Sequence, residues 1–372
     1  MKIAVEKADL ASALRVAEIG MAGSGTDLTT HFVFRIHSGR VEILTTNSRV
    51  CALAPLTCQF TGEDGAAFTI EGKRLTRWLS GVGDVPVTLE AIGSDVRVQS
   101  ARSTIDVPSL DASKFPFWDR LLSESKATIT VQPDRLTSAL NYAKNFISDL
   151  DTTRPEISQV EVLGGSLWAT DKKAITVITL AGMEDSNLRL HGKDIPTITK
   201  FLGLKETEEA TLLEHDRALY VRRGDGALVG TSRPVASFPS LNVDKGGKED
   251  AYFILKTEDI LAGFQCLSAA ADWANTQMKI TFNRSTNQVD LKVKTVSGKE
   301  NGFAVDCVEA ENTSKIPEAG FWVDYPYIRE IIGHFSSDTL KFGMHFIGKS
   351  GYIRFVHVNN TDEYLTVLVW RL

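Results

Sequence analysis

Eight residues, Gly343-Met-His-Phe-Ile-Gly-Lys349-Ser350, fit the phosphate-loop pattern GxxxxGK[ST], in which backbone N–H groups cradle phosphates and the lysine reaches the outermost of them. Nucleotide binding through Lys349 is the chemistry that pattern would do. A phosphate loop, however, follows a strand and opens a helix whose amino end faces the anion. Residues 352–358 alternate as a strand instead, so 348–351 reads as a hairpin turn. Ser123-Glu-Ser-Lys126 has the SxxK spacing of an acylating serine, but it lies in a linker ahead of a strand and lacks the companion motifs. Gly20-Met-Ala-Gly23-Ser-Gly25 has its glycines in the wrong order for a dinucleotide fingerprint and follows a helix, so it reads as a flexible loop. The seven histidines form no ligand set or triad. Cys51, Cys58, Cys266 and Cys307 show no CxxC spacing, which points to reduced, mostly buried thiols rather than a zinc site or a disulfide framework. The expectation is a protein that is not an enzyme and carries neither metal nor cofactor.

What remains is charge. Six predicted helices, 8–18, 72–79, 133–145, 192–202, 257–271 and 325–335, sum to +2, whereas the rest of the chain sums to −8 of the net −6. Five carboxylates open these helices, Asp9, Asp134, Asp194, Glu258 and Asp259, where they suit the positive end of the helix dipole. Without them the helices hold nine bases (Arg15, Lys73, Arg74, Arg77, Arg135, Lys144, Lys193, Lys200 and Arg329) against Glu18 and Glu330. Any one of these bases is equally well explained as part of an ordinary solvated face. A fold that gathered all six faces would make them one basic wall, able to neutralise phosphates without reading bases.

The elements that must position these bases repeat. Hydrophobic periodicity gives a strand, a helix and three strands, six times over. In the first round the strands are 2–5, 33–36, 41–44 and 50–55, with the helix at 8–18, and the second round begins at Phe68. Three helix starts align, at Val5-Glu-Lys-Ala-Asp-Leu-Ala-Ser-Ala-Leu14, Val131-Gln-Pro-Asp-Arg-Leu-Thr-Ser-Ala-Leu140 and Leu255-Lys-Thr-Glu-Asp-Ile-Leu-Ala-Gly-Phe264, spaced by 126 and 124 residues. A second set begins at Phe68, Leu188 and Phe321, and Ser113-Lys-Phe-Pro116 returns as Ala236-Ser-Phe-Pro239. These intervals are close to a third of the 372 residues, so each repeat is a whole domain. The expected domains are 1–123, 124–248 and 249–372. Each helix carries a narrow apolar stripe, such as Leu10, Leu14 and Ala17 or Ile328, Ile331 and Ile332, which seats one face on a sheet. Pro196 and Pro326 fit first-turn positions.

A 43% hydrophobic content is enough for substantial cores, and the acidic balance argues against a chain that coats itself in nucleic acid. Apolar runs stay well short of the roughly 20 residues that span a bilayer, and Met1 leads into an alternating strand rather than a signal peptide. No membrane partner and a cytoplasmic address are expected.

At these residues the chain resembles the bacterial sliding clamp family, the beta subunit of DNA polymerase III. The likeness spans the chain and is carried by Met1-Lys-Ile-Ala-Val-Glu, by Ser113 to Pro116, by Ala169-Thr170-Asp171 and by the ending Val367-Leu-Val-Trp-Arg-Leu372. The resemblance implies an α+β DNA clamp fold, with three similar domains of two β-α-β-β-β units each, helices lining a ring and antiparallel sheets outside. It also implies a head-to-tail homodimer that encircles double-stranded DNA irrespective of sequence and serves as a processivity factor in DNA replication. Residues 103–107 of one subunit would meet the third domain near 267–273 of the other. The bases named above would face the duplex, and the loops at 20–25 and at 152–154, with Arg154, could brush it.

The family also binds short linear peptides of the DNA polymerase, the clamp loader and repair proteins in a pocket between its second and third domains. Carried over by position, that pocket here comprises Ile157, Thr170, Lys172, Lys173, Ile175, Tyr325, Thr366, Leu368, Val369, Trp370, Arg371 and Leu372, with Trp370 as an aromatic anchor. Trp370 also reads as an interior residue of the last strand. Where the family continues Thr-Asp with Gly-His-Arg this chain has Lys172-Lys173-Ala174, and Val369-Trp370 stand where a proline and a methionine are expected. A divergent clamp with a different peptide preference is implied. The rival readings are a scaffold that binds peptides without encircling DNA and a nucleotide-binding enzyme using Lys349.

Overall fold

The computed structural model describes residues 1–148, 153–184, 186–205, 208–239, 248–269, 277–295, 297–334, 337–347, 350–359 and 362–371. Its elements repeat one order six times. The first round is β1 (Lys2–Val5), α1 (Lys7–Ala17), β2 (His31–His37), β3 (Arg40–Thr46) and β4 (Val50–Leu56), with a short β5 (Gln59–Thr61) appended. The second is β6 (Ala67–Glu71), α2 (Gly72–Gly81), β7 (Val87–Ile92), β8 (Asp95–Ser100) and β9 (Ser103–Pro108). A short helix, α3 (Asp119–Glu124), not expected from periodicity, leads into the third: β10 (Lys126–Val131), α4 (Pro133–Ala143), β11 (Gln159–Leu163), β12 (Ser166–Thr170) and β13 (Ala174–Thr179). The fourth is β14 (Asn187–His191), α5 (Ile195–Gly203), β15 (Ala210–His215), β16 (Ala218–Arg223) and β17 (Leu228–Ser232). The fifth is β18 (Ala251–Lys256), α6 (Thr257–Ser268), β19 (Gln277–Asn283), β20 (Gln288–Lys294) and β21 (Glu300–Glu311). The sixth is β22 (Phe321–Asp324), α7 (Tyr325–His334), β23 (Thr339–Ile347), β24 (Ser350–Asn359) and β25 (Asp362–Arg371).

The chain forms two compact units, one of Met1–Ser138 with Leu188–Val235 and one of Ala139–Asn187 with Ala236–Leu372, so compactness cuts across the thirds read from the repeats. In the first unit one sheet runs β5-β1-β7-β8-β9 and a second runs β10-β15-β16-β17-β4-β3-β2-β6. The seam of the second sheet pairs strands from different thirds, Leu228↔Leu53 through Thr231↔Val50. Gly230 is required there by space rather than by backbone angle, because a Cβ would lie 2.4 Å from Tyr220 Cδ1 and 2.7 Å from Cys51 Sγ. Across this sheet lies the linker after β9. Phe115 and Trp118 pack with Val33, Leu44, Leu53 and Tyr220, while Arg35, buried, donates to Glu42 at 2.8 Å and to Asp119 at 2.5 Å. The guanidinium holds the Asp119 carboxyl below its ordinary value. The helix α1 packs on β3 and β4, and its Leu10, Leu14 and Ala17 are buried.

In the second unit the strands run β11-β12-β13-β25-β22-β19-β20-β21-β18-β23-β24, and β24 also pairs with β25. Again strands of different thirds share a ladder, Ala174↔Leu368 through Thr179↔Glu363.

Several local readings are corrected. The glycine-rich stretch after α1 is no free loop at its start. Gly20 is buried, and a Cβ there would sit 2.6 Å from Thr45 Oγ1 and 2.8 Å from the Ala52 amide nitrogen. Asp194 stands at the start of α5 as expected, but it is fully buried and its Oδ1 accepts from Arg49. The cysteines are free but not mostly buried, since three are partly covered and Cys266 is exposed. The residues of the phosphate-loop pattern lie on a hairpin: 343–347 end β23, Ser350 opens β24, and Ile347 pairs with Ser350. Gly348 and Lys349 lie outside the described residues.

Candidate functional site

Bases stand on the faces that the sheets leave wet. On α1 the buried positions are Leu10, Ala13, Leu14, Val16 and Ala17, and Arg15 is exposed. On α2 Leu75 and Leu79 are buried while Lys73, Arg74 and Arg77 are exposed. Of these three, Arg74 is already engaged, its Nε 2.5 Å from Glu71 Oε2. Lys200 is exposed on α5 and Arg329 on α7, the latter 3.3 Å from Glu330. Lys144 and Lys193 are exposed but occupy single 3₁₀ turns at the end of α4 and the start of α5, because the regular helices are shorter there than the periodicity suggests. Arg135 is half-buried in α4, and Arg154 is exposed beside the 3₁₀ turn Pro155–Ile157. Thr152, named with it, lies outside the described residues.

A base the periodicity missed is Lys7, because α1 begins one residue earlier than expected. Its Nζ donates to the Val82 carbonyl at 2.5 Å, a cation at the carboxyl end of α2 that ties the two helices of the first third together. Three carboxylate-opened helices keep their acids in the first turn as expected, Asp9 in α1, Asp134 in α4 and Glu258 with Asp259 in α6.

The residues carried over for a peptide pocket divide into two kinds. Ile157, Thr170, Thr366 and Leu368 are buried. Thr366, at 0% exposure, spends its hydroxyl on Tyr142 at 2.7 Å and on Thr176 at 3.1 Å, so it braces the interior of the β13–β25 pair. Thr170 donates to the Ala174 carbonyl at 2.7 Å and accepts from the Lys172 amide at 3.1 Å, closing a turn in which Lys172 takes φ 80°. The surface kind comprises Lys172, Lys173, Ile175 and Tyr325, each at least partly exposed. Lys173 Nζ is 3.1 Å from Asp324 Oδ2, and Ile175 packs on Val177, Leu365 and Val367. Val369, Trp370 and Arg371 continue β25 opposite Tyr352, Gly351 and Ser350. For Val369, Trp370 and Arg371 the description is of backbone alone, and Leu372 lies outside the described residues.

Around that turn stands an aromatic group that position-by-position transfer overlooked. Tyr327, in the first turn of α7, stacks on Phe146 at 5.9 Å and its hydroxyl donates to Asp171 Oδ2. Burial, then the Asp171 carboxylate, pushes the phenol far above its ordinary pKa, so it acts as a fixed donor. Tyr142 lies edge-on to Tyr364 at 5.4 Å and 4.3 Å from the ring of His334. The signal available in sequence was the pair Tyr325-Pro-Tyr327 at a helix start, where the second tyrosine borders the buried stripe of Ile328, Ile331 and Ile332. Of these rings Tyr327 and His334 are half-buried, whereas Tyr142, Phe146 and Tyr364 are fully buried.

Burial pushes the Cys51 thiol up to about 12 and that of Cys58 up to about 11, which keeps both protonated. Among the described residues no cluster of three His, Cys, Asp or Glu could hold a metal, and no helix is long and apolar enough to cross a membrane.

No protein-family model and no curated protein matches the chain. Solved structures do. The DNA polymerase III subunit beta from Pseudomonas aeruginosa superposes with a TM-score of 0.83 over 100% of both chains at 14% identity. The DNA polymerase sliding clamp from Bacillus subtilis gives 0.82 at 15% identity, covering 100% of this chain and 99% of that one. The DNA polymerase III beta subunit from Thermotoga maritima gives 0.80 at 15% identity, with the same coverage. The chain therefore has the α+β fold of the sliding clamps over its full length.

Proposed function

We propose that this chain is a divergent sliding clamp: a ring-forming homodimer that encircles duplex DNA without sequence preference and tethers a polymerase and other partners through short peptides. The observation that carries the reading is the six-fold β-α-β-β-β order, repeated over the whole length of a chain with the clamp fold, with exposed bases on the helices. The three domains are 1–123, 124–248 and 249–372. Their seams are the β17–β4 and β13–β25 ladders, which join successive thirds through backbone hydrogen bonds.

Two strand edges support head-to-tail pairing. Among the described residues β9 pairs only with β8, and residues 300–306 of β21 pair only with β20. Open edges invite aggregation unless they are covered, and joining one subunit's β9 to the other's β21 covers both. Leu267, at the end of α6, is buried, and 270–273 of the segment expected at the boundary lie outside the described residues.

In the closed ring the duplex is held topologically while Arg15, Lys73, Arg77, Lys200 and their fellows meet phosphates. A partner peptide seated by Tyr327, Ile175 and Lys173 then keeps its polymerase at high local concentration, so release from the template is followed by rebinding. The chain performs no catalysis in this scheme, and a separate ATP-driven loader opens the ring.

The test loads the protein on nicked circular plasmid with its own replisome's clamp loader, isolates the complex by gel filtration, and then linearises the plasmid. Retention on circles and loss from free ends is expected, with a dimeric mass in light scattering. A monomeric mass, or equal loss from both DNAs, would leave a peptide-binding scaffold that encircles nothing.

A further inference from the structure

Strands β19, β20 and β22 bury Met278, Ile280, Leu291, Val293, Phe321 and Val323 on one side. There α6 packs on β20 and β21, so closely that a Cβ on Gly263 would lie 2.8 Å from Phe303 Cδ1. On the opposite side the register sets Trp322 beside Lys279, and Lys279 beside Lys292. Lys279 Nζ lies 5.8 Å from the centre of the Trp322 ring and Lys294 Nζ 5.3 Å from it. Lys294 has a long ion pair to Glu300, 3.8 Å. Neither Lys279 nor Lys292 has a carboxylate partner among the described residues.

Two like charges directly opposite on neighbouring strands repel each other, and here a third cation shares the same indole. The ring quadrupole offsets part of that repulsion for Lys279 and Lys294. It does nothing for Lys292, which faces Lys279 across the ladder. We propose that this face, centred on Trp322, Lys279 and Lys292, is a docking surface for an acidic peptide segment of a partner protein. Carboxylates seated between Lys279 and Lys292 convert a repulsive pair into a bridged one. Single-stranded nucleic acid would instead need an open aromatic face for base stacking, and two ammonium groups already lie against the Trp322 ring. The row adjoins the peptide site, since Asp324, two residues along β22, holds Lys173. The proposal does not depend on ring closure.

Fluorescein-labelled hexaglutamate is titrated into the full-length protein at low salt, with labelled hexathymidylate as a second probe. Hexaglutamate is expected to bind, to weaken as salt is added, and to lose about tenfold in affinity when Lys279→Ala and Lys292→Ala are combined. The urea midpoint of that variant without peptide stays level or rises, because the like-charge pair is gone. Tyr327→Ala leaves hexaglutamate binding unchanged, which separates this face from the peptide pocket. Absence of hexaglutamate binding, or an affinity indifferent to the double substitution, overturns the proposal. So does tighter binding of hexathymidylate that Trp322→Ala abolishes, which would assign the face to nucleic acid, and so does loss through Tyr327→Ala alone, which would move the acidic peptide to the pocket.

Discussion

Neutralising Lys73 and Arg77 on α2 tests the basic lining most directly. Both are exposed, and neither has the local carboxylate that engages Arg74 through Glu71. If the proposed ring forms, two positions in each of two subunits would make four phosphate contacts. At about 0.9 in the salt slope per phosphate, Lys73→Gln with Arg77→Gln lowers the slope of log affinity against log salt by roughly 3.6. Extrapolated from 1 M, that corresponds to about a thousandfold weaker binding at 0.15 M salt, or about 4 kcal/mol. Folding stability should move by no more than about 0.5 kcal/mol, because the side chains lie in water. The assay is fluorescence anisotropy on a short duplex with free ends, onto which the proposed ring would thread, repeated from low to moderate salt. A slope equal to that of the unaltered protein would refute the lining, as would a loss of affinity that salt does not change.

Three further outcomes follow from single sites. Gly230→Ala drives a Cβ into Tyr220 and Cys51 at the β17–β4 seam and should destabilise the first unit by about 1–3 kcal/mol, read as a lower urea midpoint. Tyr142→Phe removes a buried hydroxyl while Thr366 keeps its bond to Thr176, so a loss near 1 kcal/mol is expected by the same measurement. The Asp119 carboxyl is held below its usual 3.8 by Arg35, so its contribution is present above that value and is lost as pH falls through the lower, folded one. Asp119→Asn should therefore be less stable than the unaltered protein at neutral pH, and the gap should narrow in acid melts below pH 3.8; a gap constant from neutrality to strong acid would count against a stabilising Arg35–Asp119 pair.

Residue order alone determined the repeating element pattern. β1 is where alternation put it, α1 begins within one residue of the expected start, and the hairpin reading of 348–351 agrees with Ile347 pairing Ser350. Such features depend on neighbours a few residues apart, and side-chain period records them faithfully. Tertiary structure alone decided what lies across the sheets. Nothing near Gly230 announces that Cys51 will be its ladder partner, nothing near Thr366 announces Tyr142, and Asp194 looks like any helix-opening acid until Arg49 arrives from 145 residues away. Strand-to-strand registry and buried polar pairing are satisfied by groups distant along the chain. The backbone of either partner carries the same donors and acceptors whichever strand it meets, so local pattern cannot choose between them and packing must.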